Sequence, residues 1–463
     1  MKKLLGIVFL GLLLCTNGFS SENLLSKIDL SKVDKTSDGP HVPYRSNPNL
    51  ETLKYFLHLY NSYKATPNSA YLVEPSANPY EFKYDLLDYK FLNKEMEKKA
   101  LFSYLYFEKD HIVIDKISPK NRLGEFVDNK TKLRSNSMGK SMVSYVLAHA
   151  ICDGYIESVD ARISDWDLMK GTLYENNKLI DLLNMASGDQ KYVYGAHLLK
   201  NGKPNRDDGL EISNWTPNFI SDYFKGKKSA KKKYNYTGLN TRLILHYIFF
   251  KSKGDFQKIL NKTFQEKSKI KNQVFFFRKE NLHDQSEKDW PDPMFYATRL
   301  DYLRIAKAMM DDYQNNTCEG KYLKEIYDRK ISKNINHDGD RSEPMFNRTK
   351  SYGGQFHLDY PGLNNKVVFG MGGFAGQAIL IDMENSRIAV INSIHYNNGR
   401  YKYDHKKLLI NPIKHGKIFF KWVMTSTGRV KDPHSIINVA MIRESRSRKG
   451  RSVARCPKPR LLN

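Results

Sequence analysis

Acidic residues and cysteines are scarce in this chain. Across 463 residues, 50 Asp and Glu stand against 75 Lys and Arg, a formal net charge of +25 at pH 7, and there are four cysteines. Whole classes of motif are missing as well. There is no zinc-finger spacing, no aromatic RNA-binding motif and no basic helix on heptads, so nucleic acid is not an expected partner despite the charge. The thirteen histidines show no HExxH or comparable ligand spacing, and there is no Walker loop, dinucleotide fingerprint or internal repeat. No metal and no cofactor are expected.

What is present suffices for a large core. Hydrophobic residues make up 40% and aromatics 12%, which excludes wholesale disorder. The opening "MKKLLGIVFLGLLLCTNGFS" has two lysines, eleven apolar residues from Leu4 to Leu14, then small residues at Gly18 and Ser20. That pattern reads as a signal peptide over 1–20, and the run is short for a bilayer. Export to the periplasm or beyond is expected, with an uncleaved anchor as the alternative. Cys15 follows Leu14, a residue too large for ordinary lipoprotein processing. Beyond the leader stand Cys152, Cys318 and Cys456. An oxidising compartment permits one disulfide, and Cys152 with Cys318 is preferred because Cys456 lies in an apparently unstructured tail.

Residues 21–92 are rich in turn residues and read as an extension wrapping a core. "ALFSYLYFEKDHIVIDKIS" gives two β-type runs around Glu108-Lys109-Asp110, a hairpin signature. Helical patterns dominate from about 150 to 330. "KVVFGMGGFAGQAILIDMENSRIAVINSIHY" then reads as three strands separated by turns, and "PIKHGKIFFKWVM" as a closing helix. Strands early and late with helices between imply a mixed α/β (α+β) fold. One antiparallel sheet is built from both ends of the chain and flanked by helices, with a mostly helical region inserted. The main domain spans 93–425. The end, 426–463, finishes in the strongly basic "RESRSRKGRSVARCPKPRLLN", which is nearly free of apolar residues, so it reads as a disordered tail that could touch an anionic envelope surface.

"RSNSMGKSMVSYVLAHAICDGYI" puts Ser137 three residues before Lys140, on one face at the start of a helix apolar enough to be buried. A serine hydroxyl becomes nucleophilic when a neighbouring base takes its proton, and a lysine can do so if burial or nearby charge keeps its amine neutral. The helix N-terminus favours the developing anion. Ser229…Lys232 and Ser268…Lys271 have the same spacing but look like solvated surface. Further on, "KYNYTGLNTRLILHYI" carries Tyr234 and Tyr236, and "VFGMGGFAGQAILID" carries a glycine-rich turn between two strands.

The ordered set Ser-x-x-Lys, Tyr and a glycine-rich turn ending in Gly-Gln resembles the serine β-lactamase and penicillin-binding protein superfamily. The resemblance is to its class C-like branch of esterases, D-amino-acid-handling peptidases and 6-aminohexanoate-dimer hydrolases. "LIDLLNMASGD", "YATRLDYLRIAKAMM" and "YGGQFHL" also match, so the similarity runs from about 95 to 425. It implies Ser137 as acylated nucleophile, Lys140 as general base, and Tyr236 as the proton carrier, its phenol shifted towards phenolate by neighbouring ammonium charge. "Tyr-x-x-x-Asn-Thr" favours Tyr236 over Tyr234. The backbone N–H groups of Ser137 and Phe374 would form the oxyanion hole, with Gly238, Met371, Gly372 and Gly373 lining the substrate site.

Two departures narrow the substrate. Gly238 stands where the family's lactamases have Asn, and Met371 where they have the Lys that holds a substrate carboxylate. An ester or unstrained amide, in a small molecule or a peptide, is therefore expected in preference to a β-lactam. The rival reading is a non-hydrolytic binder of cell-wall peptide on the same fold.

Overall fold

The computed structural model describes residues 24–34, 42, 47–61, 63–193, 216–278, 289–333, 349–395 and 402–425. The leader at 1–20, Cys456 and the tail at 426–463 lie outside the described residues. The strands are β1 Ala70–Val73, β2 Lys83–Tyr84, β3 Leu101–Glu108, β4 His111–Ile117, β5 Leu133–Arg134, β6 Val274–Arg278 and β7 Pro291–Ala297. They continue with β8 Ile331–Ser332, β9 Ser351–Gly353, β10 Phe356–Leu358, β11 Val368–Gly373, β12 Gln377–Asp382 and β13 Arg387–Ser393. Six helices matter below: α1 Leu50–Asn61, α2 Gly139–Cys152, α3 Leu239–Lys251, α4 Arg299–Asn315, α5 Cys318–Asp328 and α6 Lys417–Thr425.

The expected sheet has nine strands in the order β2-β4-β3-β13-β12-β11-β10-β9-β8. Its centre joins the two ends of the chain, with Ala389 of β13 opposite Tyr106 of β3. The β3–β4 hairpin turns at Lys109, whose φ is 52°. Its pairings are antiparallel except that β2 runs parallel to β4. Both faces are covered, which is why the strands read as near-continuous apolar runs. Leu105, Phe107, Ile379, Ile381, Ile388 and Val390 face the larger core, where α2 to α5 pack. Tyr104, Tyr106, Ala378, Leu380, Ala389 and Ile391 face a second core built with Leu408, Ile413 and Phe420. The closing helix is broken at Gly416, φ 71°, between Asn411–His415 and α6.

A second sheet, β1-β6-β7-β5, takes its two central strands from the stretch that reads as mainly helical and its edges from residues 70–73 and 133–134. "VFFFR" is one short strand whose neighbours are about 15 and 200 residues away, so a helical window passes over it. Its stability comes from aromatic pairing: Phe275 stacks on Tyr296 at 4.8 Å between centroids, and the Tyr63 ring lies 5.8 Å from Tyr296. In the N-terminal extension, α1 sends Leu53, Phe56, Leu57 and Tyr60 into the main core, the i, i+3, i+4, i+7 face of a helix.

Helix α2 is buried on almost all sides. Cys152 at its end is disulfide-bonded to Cys318 at the start of α5, with Cα atoms 5.8 Å apart. His149 packs edge-on to Tyr145 at 4.8 Å and places Nδ1 3.1 Å from the Glu319 carboxylate. It is a fully buried structural histidine.

Candidate active site

Ser137 lies in the single turn Asn136–Met138 that leads into α2. Asn136, just before it, is left-handed at φ 48°. Two glycines allow this turn to be approached from both sides. A Cβ on Gly139 would fall 2.1 Å from the Pro293 carbonyl oxygen, and one on Gly373 would fall 2.6 Å from the Ser135 carbonyl oxygen. The end of β11 therefore closes on the serine turn, with Phe374 next in the chain. The Asn136 side chain bridges the gap, its Nδ2 donating to the Phe374 carbonyl at 2.9 Å.

Tyr236 arrives on the loop before α3, near enough to Ser137 that the serine hydroxyl opposes part of the upward shift of its phenol. Lys140 Nζ sits 5.3 Å from the centre of the Tyr236 ring. Tyr234 is placed elsewhere, its ring 5.3 Å from Tyr352 and 5.8 Å from Lys333 Nζ.

The resembling motifs prove to be the scaffold of this triad. In "LIDLLNMASGD", the Met185 carbonyl accepts from Asn235 N at 2.7 Å, and Asp189 accepts from Asn235 Nδ2 at 2.9 Å, which fixes the residue before Tyr236. In "YGGQF", Gln355 is a buried hub. It accepts from Thr241 Oγ1 at 2.7 Å, donates Nε2 to the Leu182 and Leu183 carbonyls at 3.0 and 3.1 Å, and its own carbonyl accepts from Ser141 Oγ at 2.7 Å. Ser141, next to Lys140, and Thr241, on the helix that follows Tyr236, are thus tied to one residue. "YATRLDYLR" is purely architectural: Thr298 caps α4, Asp301 accepts from Lys271 N at 2.8 Å, and buried Arg299 pairs with Asp115 at 2.6 Å.

Electrostatics separate Lys140 from Tyr236. Burial, assisted by the Arg242 guanidinium and opposed by the Asp292 carboxylate, lowers Lys140 to about 8. Arg242 and Asp292 are themselves paired at 2.7 Å. Burial raises Tyr236 to about 12, partly opposed by the Ser137 hydroxyl. The shift runs opposite to the expected one towards phenolate, because desolvation favours the neutral phenol.

Met371 is 1% exposed and belongs to the core that also holds Phe369 and Ile379 of the sheet and Met138 and Met142 beside Ser137. Gly372 and Gly373 are also buried, while the Phe374 side chain is 42% exposed. Gly238 has ordinary right-handed geometry, and a Cβ there would meet nothing within 4 Å. The basic loop at 225–233 is mostly solvated, with Lys227 over the Tyr223 ring and Lys232 paired to Asp181. The Ser229 hydroxyl donates to the Ser187 carbonyl at 3.0 Å. Ser268 is buried rather than solvated, donating to the Thr263 carbonyl at 2.8 Å.

Several neighbours carried no local signal. Asn136 is one and the Arg242–Asp292 pair another. Lys333, 2% exposed, donates to Thr349 Oγ1 and lies 2.9 Å from His357 Nδ1, and burial holds it well below the usual lysine range. The His357 ring is 5.8 Å from that of Tyr236. None of these could be found without the fold, since their partners are remote in sequence. Among the described residues no group of three or more His, Cys, Asp or Glu is arranged to hold a metal ion.

No family model matches the chain, and no curated protein matches it in sequence. Solved structures do match in shape. "Putative 6-aminohexanoate-dimer hydrolase from Bacillus anthracis" aligns with a TM-score of 0.54 and 13% identity, over 82% of this chain and 99% of that one. "EstCE1, a hydrolase with promiscuous acyltransferase activity" aligns at 0.48 and 11%, over 71% and 99%. "Crystal structure of putative beta-lactamase from Bacteroides dorei DSM 17855" aligns at 0.48 and 14%, over 66% and 88%. The first of these defines the class of architecture: the chain has the serine β-lactamase/transpeptidase-like fold.

Proposed function

We propose that this chain is an exported serine hydrolase that cleaves an ester or amide bond through an acyl-enzyme on Ser137. The observation that carries this reading is the convergence of Ser137 and Tyr236 on Lys140, whose Nζ lies 5.3 Å from the Tyr236 ring centre and whose amine is lowered to about 8. At pH 7 roughly a tenth of Lys140 is then the free amine, able to take the Ser137 proton as Oγ attacks the substrate carbonyl carbon. The tetrahedral oxyanion accepts from the N–H groups of Ser137 and Phe374, with the N-terminus of α2 adding to the favourable field. Collapse breaks the bond to the leaving group, which takes the Tyr236 proton, and the phenol is reprotonated from the Lys140 ammonium. Water then attacks the acyl carbonyl, losing its proton to the same pair, and the acid departs as Ser137 regains its hydrogen. No lysine stands at 371 to hold a substrate carboxylate, so β-lactam turnover is slow in this reading.

The test is intact mass after incubation with a fluorophosphonate probe, beside a Ser137→Ala control. A single adduct on the wild type that is absent from the control supports the reading. No adduct on folded protein overturns it and favours the non-hydrolytic binder of cell-wall peptide. Export is tested by the N-terminal mass of protein recovered from the periplasm. Binding through the tail is tested by comparing anionic-vesicle pelleting of the full chain with a form ending at Gly428.

A further inference from the structure

The turn that carries Ser137 and the turn that carries Phe374 come from opposite ends of the domain, yet both proposed oxyanion donors must aim at one point. Each turn contains a non-glycine residue in the left-handed region: Asn136 at φ 48° and Ala375 at φ 65°. Such backbone persists only where its surroundings hold it. The group between them is the Asn136 amide, which donates to the Phe374 carbonyl at 2.9 Å. Its other contact comes from the N-terminal extension. The Tyr60 hydroxyl lies 3.2 Å from Asn136 Nδ2 and 3.4 Å from Oδ1. Tyr60 is buried in the main core, and burial raises its phenol to about 12, so it stays a neutral hydrogen-bonding group. The Arg134 guanidinium lies 5.6 Å from its ring centre and completes the cluster.

We propose that Asn136 is a positioning residue that holds the Ser137 and Phe374 backbone donors in register, and that Tyr60 fixes its amide. The Phe374 carbonyl and N–H belong to neighbouring peptide planes joined at Cα, so anchoring the carbonyl restricts rotation at Phe374 and narrows the directions its N–H can take. The extension thereby takes part in turnover although it touches no substrate. This inference rests on the serine-hydrolase reading.

The experiment compares p-nitrophenyl ester turnover and fluorophosphonate labelling rates for wild type, Asn136→Gly, Tyr60→Phe and Ser137→Ala. Asn136→Gly keeps the left-handed backbone accessible while removing the amide, and Tyr60→Phe keeps the packed ring. Misaimed donors act on the transition state, so kcat in Asn136→Gly should fall about 100-fold with KM changed less than about threefold. Tyr60→Phe should fall severalfold in the same parameter. The pH at which activity rises should not move in either, because Lys140 keeps its surroundings. Wild-type kcat in both variants, with Ser137→Ala inactive, overturns the positioning role and leaves the hydrolase reading standing. A rate independent of Ser137, or no labelling of the wild type, overturns both. If Asn136→Gly does not fold, Tyr60→Phe decides, and an unchanged kcat there counts against the proposal.

Discussion

Lys140 Nζ lies 5.3 Å from the centroid of the Tyr236 ring, and the two groups are driven apart in proton affinity, one to about 8 and the other to about 12. A base and an acid of different strengths are thereby made from neighbouring side chains that share one desolvated site. Burial disfavours charge on both, which lowers an amine and raises a phenol.

The pH profile of ester turnover follows from this. Lys140 must be neutral to accept a proton, so kcat/KM should rise with pH through about 8 and stay high until the phenol ionises near 12. Arg242→Met removes a cation that lowers Lys140 and leaves Asp292, which raises it. The inflection should therefore move upward by about half a unit or more. An inflection near 10.5, the ordinary lysine value, in the wild type would falsify the assignment of Lys140 as base.

The Gln355 side-chain amide links α3 to the Leu179–Leu183 turn, and its backbone carbonyl accepts from Ser141 of α2. Gln355→Leu leaves the buried Thr241 hydroxyl without this acceptor and removes the second donor from the Leu182 and Leu183 carbonyls, and should cost about 1–3 kcal/mol. Urea unfolding monitored by tryptophan fluorescence measures this. Loss below about 0.5 kcal/mol would show that the hub is dispensable.

The Cys152–Cys318 bond closes a loop of 166 residues between α2 and α5. Reduction, or the double change to serine, should destabilise by about 2–4 kcal/mol. Acylation of Ser137 should survive it in the cold, since the bond lies at the far end of α2. Identical melting curves with and without dithiothreitol would contradict this.

Acid stability should depend on Glu319 beside that disulfide. The His149 ring, its Nδ1 3.1 Å from the carboxylate, lowers Glu319 from 4.5 to about 2 against the opposing effect of burial. A carboxylate lowered on folding contributes stability that is complete above its unfolded value and is lost as pH falls through its folded one. Wild-type stability should therefore drop between pH 4.5 and 2, and Glu319→Gln should flatten the curve in that window. Parallel curves for the two proteins would count against it.

The hairpin β3–β4, the three closing strands and the buried helix α2 are legible in the sequence because each is local. Alternation, turn residues and apolar spacing within about 30 residues determine them. The second sheet is not legible, because β6 is defined by a partner some 200 residues away and by ring stacking across strands. The same holds for Gln355: nothing beside it in sequence reveals that it will receive Thr241 and reach Leu182 and Leu183.

By itself the sequence determined the spacing of Ser137 and Lys140 on one helix face, the strands that begin and end the domain, and the apolar supply of its core. Tertiary structure alone decided that burial raises the Tyr236 phenol, that Arg242 and Asp292 flank Lys140, and that Asn136 ties the Ser137 turn to Phe374. The physical reason is that proton affinity and backbone direction are set by what surrounds a group after folding. Those surroundings are assembled from parts of the chain that carry no mark of one another in sequence.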